Sequence, residues 1–400
     1  MPQYTYDEQT ANEATGFSAF GGHLLTPGRG LEATPAAAGH VATLASLGIE
    51  DAEQLVATAA VPGAREELQS VLGLRDREFQ ALVDRAVQSL PAQRAALVSE
   101  AVPADLGLGV LPPTQEMMEA AATSAEEIGV EAVALPASVN LISFMSAIRN
   151  QASRGTCVGF ALTALNEYIL RRRGRIVDVS EQHLYYEAKQ IDGASGACGT
   201  WQVKAVIALR NSGECRETIW PYNPSLPCNN HGARPPQARP DGLNYRLATL
   251  QVPARNVLAY KTHMSSQRPV TLSIPVYNSW YQSAETRRSG RITMRIGQEP
   301  AVGGHAVCLV GYQDTPASPG GGYFLVRNSW HTTWAYQSPY GAGYGTIPYQ
   351  YIANDAMEAF TAVVPGIQEE DQPADDEQPE EASTVTIQVG RNVKITISSR

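Results

Sequence analysis

The feature that most constrains this 400-residue chain is a cysteine at the head of a helix that must be buried. Phe160, Ala161, Ala164, Leu165, Tyr168 and Ile169 recur at helical spacing, and Arg171, Arg172, Arg173 and Gly174 supply the stop. The residues before it, Gln151-Ala152-Ser153-Arg154-Gly155-Thr156, lack that periodicity, so Cys157 opens the helix. There the first-turn amides and the positive end of the helix dipole favour a thiolate, the reactive form of the side chain. A purely structural cysteine would gain nothing from that placement.

A thiolate becomes useful for acyl chemistry when a base and a set of oxyanion donors join it. Gly303-Gly304-His305-Ala306-Val307 introduces an apolar strand ending at Gly311-Tyr312, which predicts His305 at a strand start. A short Pro/Gly loop and the strand Tyr323-Phe324-Leu325-Val326 then lead to Asn328-Ser329-Trp330. The Asn328 amide oxygen is suited to accept from the imidazole and fix its tautomer, with Trp330 covering that bond from water. Taken singly, His305 reads as a structural histidine and Asn328 and Trp330 say almost nothing; their order and spacing make a set. His183, His231, His263 and His331 stand in no such pattern and read as surface or structural groups.

Together these residues resemble the papain and cathepsin family in its bacterial form. The resemblance rests on Gln151 six residues before Cys157, the Gly-His-Ala-Val block at His305 and Asn-Ser-Trp at Asn328. Val179-Ser180-Glu181-Gln182, and Gly213-Glu214-Cys215 leading to Trp220-Pro221-Tyr222, add to it, in order over about residues 140 to 350. It implies an α+β fold of two lobes, one helical and one a β-barrel, preceded here by a small all-α domain. The implied activity is that of a cysteine-type endopeptidase working through a Cys157-His305-Asn328 triad and an acyl-enzyme, without metal or cofactor. Gln151 and the Cys157 amide would form the oxyanion hole. Gly199 and Thr200 would pair with the backbone of an extended peptide or protein substrate, Trp201 would stand near the second subsite, and Gly304 and Trp330 would also line the groove. Three positions depart from the family pattern: Val158 replaces a Trp, Arg154 a half-cystine and Thr200 a Gly. None removes a proton-transfer group. The helical propeptide motifs of plant and animal members are absent.

Around that region the chain divides by composition. Residues 1–40 read as a poorly ordered lead-in, and 41–98 as a helical domain. Within the latter, Leu47-Gly48-Ile49-Glu50-Asp51 echoes Leu72-Gly73-Leu74-Arg75-Asp76, resembling tandem helix-hairpin-helix modules. Without lysine and with acids in excess, it suits a protein partner rather than nucleic acid. A connector spans 99–136, with a short helix over Thr114–Glu127 and an extended stretch, Val130–Pro136, able to lie in or beside the groove as a propeptide does. The region with the chemistry covers 137–365, an acidic linker 366–383 and a β-hairpin 384–400. Most of the net charge of −10 lies between Glu369 and Glu381, so neither nucleic acid nor an anionic membrane is an expected partner. No apolar run is long enough to span a bilayer, and the N-terminus lacks a secretory signal, which predicts cytoplasm or export by another route. Of the remaining cysteines, Cys308 sits in an apolar run and reads as core, while Cys198, Cys215 and Cys228 share a loop-rich stretch open to a disulfide of unassigned pairing. Two functions compatible with these features are a peptidase held latent by its own N-terminal region and a partner-recruiting scaffold of little proteolytic activity. Ligation would use the same residues as hydrolysis.

Overall fold

Short helices with apolar faces open the described chain: α1 (Pro35–Ser46), α2 (Ala52–Ala59), α3 (Ala64–Leu72), α4 (Asp76–Ser89) and α5 (Ala92–Val98). The computed structural model describes residues 35–115, 135–363, 384–388 and 394–398. Helix α1 starts inside the stretch read as lead-in, because proline suits the first helical turn. Asp51 caps α2 by accepting from the Gln54 amide, and Phe79, Leu82, Val83 and Ala86 bury one face of α4. Leu44, Leu55, Leu68 and Phe79 form a core that Ile296, from far downstream, completes. Residues 41–98 therefore do not close a core of their own. The first Leu-Gly turn is spent on packing: Gly48, Ile49 and Glu50 donate to Ala45 O, Leu44 O and Gln54 Oε1, and Leu47 O accepts from Met294 N at 2.9 Å. Its amides have nothing left to offer a phosphate.

Cys157 does open a helix. Residues Cys157 to Leu170 of α6 (Cys157–Arg172) are buried throughout, with α7 (Glu181–Ile191) and α8 (Gln202–Asn211) packed beside it. Ser180 caps α7, and Glu358 accepts from the Gln202 and Val203 amides, each at 3.0 Å, to fix the start of α8. A short helix, α9 (Ala238–Gly242), closes this helical half.

Seven antiparallel strands build the other half: β1 (Ser138–Asn140), β2 (Thr249–Gln251), β3 (Val270–Tyr277), β4 (Ala301–Asp314), β5 (Gly322–Arg327), β6 (Tyr344–Pro348) and β7 (Glu358–Ala362). They run β2-β7-β3-β4-β5-β6, with β1 also paired to β4. Ile274 of β3 stands opposite His305 of β4, and α6 lies across β4. Helices α10 (Val257–Ser265), α11 (Asn278–Tyr281), α12 (Ala284–Ser289) and α13 (Tyr349–Asp355) fill the connections. This is the expected α+β division into a helical and a sheet half.

Cys198 and Cys228 form a disulfide, whereas Cys215 and Cys308 are free and buried. Beyond Val363 the described residues form a separate unit, the hairpin β8 (Thr384–Gln388) and β9 (Lys394–Ser398), with Val385 opposite Ile397 and Ile387 opposite Ile395. The acidic linker, the Val130–Val133 stretch and all but the start of the Thr114–Glu127 helix lie outside the described residues. Among the described residues no helix is long and apolar enough to cross a membrane.

Candidate active site

Three elements bring the expected residues to one groove. Cys157 enters from the head of α6, His305 from within β4 and Asn328 from the residue that follows β5. His305 is not at a strand start, as its glycines suggested; β4 begins at Ala301 and takes Gly303 and Gly304 into the ladder opposite Val276 and Pro275. The Ala306 amide lies against the Cys157 sulfur, which brings the histidine-bearing stretch of β4 to the head of α6. Asn328 Oδ1 accepts from His305 Nε2 at 2.9 Å and from the Ser329 amide at 2.8 Å, so a backbone donor fixes the amide that fixes the imidazole. Trp330 stacks on the ring, with centroids 4.3 Å apart and planes 20° off parallel. His305 Nδ1 is buried and makes no hydrogen bond among the described residues.

Burial sets the protonation of this pair. It pushes the Cys157 thiol up to about 12, against the opposing backbone amides of Ala306, Gly109, Val158 and Cys157 itself. Burial likewise lowers His305 to about 4, against the favourable bond to Asn328. Both shifts favour the uncharged forms of the thiol and the imidazole in this closed groove.

Gln151 is pinned between the halves. Its amide N–H donates to Ser329 O at 2.9 Å, Asn150 bridges to Trp330, and its own carbonyl accepts from the Tyr222 hydroxyl at 2.9 Å. Ser329 Oγ donates to Gln151 Oε1 at 2.6 Å, which turns the side-chain NH2 toward the groove. Ser329 and Tyr222 were not singled out as site residues from sequence, although both belong to motifs already noted. Arg154, in place of a half-cystine, donates to Gln182 Oε1 and Asn223 O and lies over the Tyr185 and Tyr222 rings. A polar staple thus stands where a disulfide was missing, and Val158 is fully buried.

The groove is occupied by the chain itself. Gly107 O accepts from Gln151 Nε2 at 3.0 Å and from Trp330 Nε1 at 3.1 Å. Gly109 donates to Gly304 O and accepts from the Thr200 amide, both at 3.0 Å, and Leu111 donates to Thr200 O at 3.3 Å. Trp201 Nε1 reaches Pro112 O at 2.9 Å, so Trp201 lines the groove rather than the core. A Cβ on Gly107 would sit 2.5 Å from Arg154 O, and one on Gly109 would sit 2.3 Å from the Gly155 backbone. Only glycine passes at these points. Every expected groove residue, Gly199, Thr200, Trp201, Gly304 and Trp330, lies along this segment, and among the described residues the occupant is 106–112, where the expected stretch was Val130–Pro136. Of the latter, Pro136 accepts from the Tyr312 hydroxyl of β4, and residues 130–134 lie outside the described residues.

A family model for the papain family cysteine proteases matches residues 135–350, and the chain belongs to that family. A peptidase C1-like protein of Acanthamoeba polyphaga mimivirus is 23% identical over 221 residues, 52% of this chain and 66% of that protein. Ananain of Ananas comosus is 26% identical over 220 residues, 54% of each chain. The match thus spans less than two thirds of these relatives' own length. Among solved structures, xylellain, a cysteine protease from Xylella fastidiosa, shares the fold at 22% identity with a TM-score of 0.50, covering 66% of this chain and 97% of that one.

Proposed function

We propose that this chain is a cysteine-type endopeptidase held latent by its own residues 106–112. The observation that carries the reading is the convergence of the Cys157 thiol, the His305–Asn328 pair and the Gln151 amide on a groove whose backbone-pairing edges accept an extended segment. With the groove vacated and solvated, the thiol passes its proton to His305 Nδ1, and the sulfur attacks the scissile carbonyl carbon. Gln151 Nε2 and the Cys157 amide receive the oxyanion, and the imidazolium returns its proton to the departing amine. Water, deprotonated by the same imidazole, then releases the acyl group. Asn328 holds the ring in the tautomer that leaves Nδ1 facing sulfur.

Latency follows from occupancy and from desolvation. The segment takes the Gln151 donor and both Thr200 backbone groups, and its cover contributes to the burial that keeps the thiol and imidazole neutral. The helical region 35–98 supports the same arrangement, since it is anchored on residues 291–298 and leads directly into the segment.

The test is labelling of the intact chain with an irreversible peptidyl epoxide, followed by peptide mapping. Gly109→Val, which the Gly155 backbone cannot accommodate with the segment in place, is expected to label at Cys157 much faster than wild type. Cys157→Ala is expected to stay unlabelled. If Gly109→Val is no more reactive than wild type, latency by this segment is wrong; if neither labels even after N-terminal removal, the peptidase reading is wrong.

A further inference from the structure

The loop that presents Thr200 to the groove contains no apolar side chain larger than alanine or cysteine. From Asp192 to Cys198 it runs Asp-Gly-Ala-Ser-Gly-Ala-Cys, and four of its seven residues are exposed. Hydrophobic packing cannot fix such a loop, yet its last residues must hold a backbone edge to the tolerance that strand pairing requires.

A buried lysine supplies the missing order. Lys189 of α7 has a fully buried side chain, and its ammonium donates to Ala194 O at 2.6 Å, Ala197 O at 3.3 Å and Gly199 O at 2.9 Å. It also pairs with the equally buried Asp192 carboxylate at 2.8 Å. One helix turn earlier, the Tyr185 hydroxyl accepts from the Gly199 amide at 3.1 Å. Both backbone groups of Gly199, whose φ of +100° suits glycine, are therefore tied to α7. The peptide groups of Thr200 then face the groove, where they pair with Gly109 and Leu111. The Cys198–Cys228 disulfide holds the residue just before.

Resting on the peptidase reading above, we propose that Lys189, assisted by Tyr185, is a positioning residue for extended substrate. It acts through Gly199 to hold the Thr200 backbone in pairing geometry. The lysine touches neither thiol nor oxyanion donors, so its role is to hold peptide backbone two or more residues from the scissile bond and not to move a proton. Replacing it with methionine keeps the length of the side chain while leaving three carbonyls and one carboxylate without their cation.

Two measurements on the full-length chain test this. In Cys157→Ala, which cannot cut itself, Lys189→Met is expected to speed hydrogen exchange at the Thr200 and Leu111 amides about tenfold, the equivalent of one net hydrogen bond. Exchange at Leu272 and Val307, in the sheet, should not change. In the Gly109→Val chain, Lys189→Met should raise KM for an extended peptide about tenfold with kcat within twofold, while a single-residue ester, too short to reach Thr200, keeps its kcat/KM. Tyr185→Phe, a milder change, should shift both readouts in the same direction and keeps the proposal testable if Lys189→Met fails to fold. Unchanged exchange at Thr200 in both variants, or equal losses on short and extended substrates, would overturn it. Should the Gly109→Val chain cleave nothing, latency by the segment falls, and the exchange arm alone still decides whether Lys189 sets the Thr200 edge.

Discussion

Gln151 uses the two ends of one amide for different tasks. Its Oε1 is occupied by Ser329 Oγ, and this alone decides that Nε2 is the end facing the groove, toward Gly107 O and Arg154 O. In the Gly109→Val chain, Gln151→Ala is expected to lower kcat about 10²- to 10³-fold, the usual loss for an oxyanion donor, with KM nearly constant. Ser329→Ala should lower kcat less, because the amide then samples the flipped orientation but is not lost. Steady-state kinetics on one peptide substrate compares the two, and a Ser329→Ala loss as large as that of Gln151→Ala would mean that the serine acts otherwise. The glutamine was legible because it stands at a fixed distance from a helix-opening cysteine. The serine was not singled out, because a hydroxyl acting through another side chain leaves no periodic or spacing signal.

At the scale of elements, the segment 106–112 fills the groove and helices α1 to α5 lead into it, both from outside the matched region. Burial pushes the Cys157 thiol up to about 12, so iodoacetamide should alkylate wild-type chain slowly at pH 7 and faster toward high pH. Gly109→Val should bring a marked rise in rate at pH 7, read by mass spectrometry of the Cys157 peptide; no rise would show that the segment does not control the thiol. The helices are fastened by Arg291, which pairs with Asp51, the cap of α2, at 2.5 Å and with Glu285 of α12 at 3.0 Å in a largely buried cluster. Arg291→Met should leave the buried Asp51 carboxylate without its cation and Glu285 with Arg288 alone, and cost roughly 3 kcal/mol. Denaturant unfolding would measure that loss, and exchange should rise first in residues 44–98, because Asp51 sits at their junction with the sheet half.

For the whole molecule, the division into halves was readable because α6 and β4 carry long buried patterns, and the hairpin because Val385, Ile387, Ile395 and Ile397 alternate. The occupied groove was not. Leu106-Gly107-Leu108-Gly109-Val110 makes its bonds to residues 44 to 223 positions away, and two glycines chosen for clearance look the same in sequence as two glycines in a loop. Nor does sequence reveal buried acids that hold their protons. Glu181 and Glu214, both fully buried in the helical half, are pushed up to about 8 by desolvation, opposed by Arg149 for the first and by Thr163 and Asn166 for the second. An unfolded glutamate titrates near 4.3, so from about pH 4.3 to 8 the folded chain keeps protons that the unfolded chain has released. Stability from these groups is complete below that window, falls as pH rises through it and levels off above. His263 and His305, both lowered to about 4 by burial, act with the opposite sign, losing stability as pH falls from about 6.5 to 4. The difference between wild type and Glu214→Gln isolates the acid, since glutamine can still bond Thr163 and Asn166. Urea unfolding from pH 5 to 8.5 should show wild type losing stability relative to the variant as pH rises, with the gap opening by a few kcal/mol. A constant gap across that range would mean that Glu214 is ionised in the fold and that Thr163 and Asn166, not a retained proton, accommodate it.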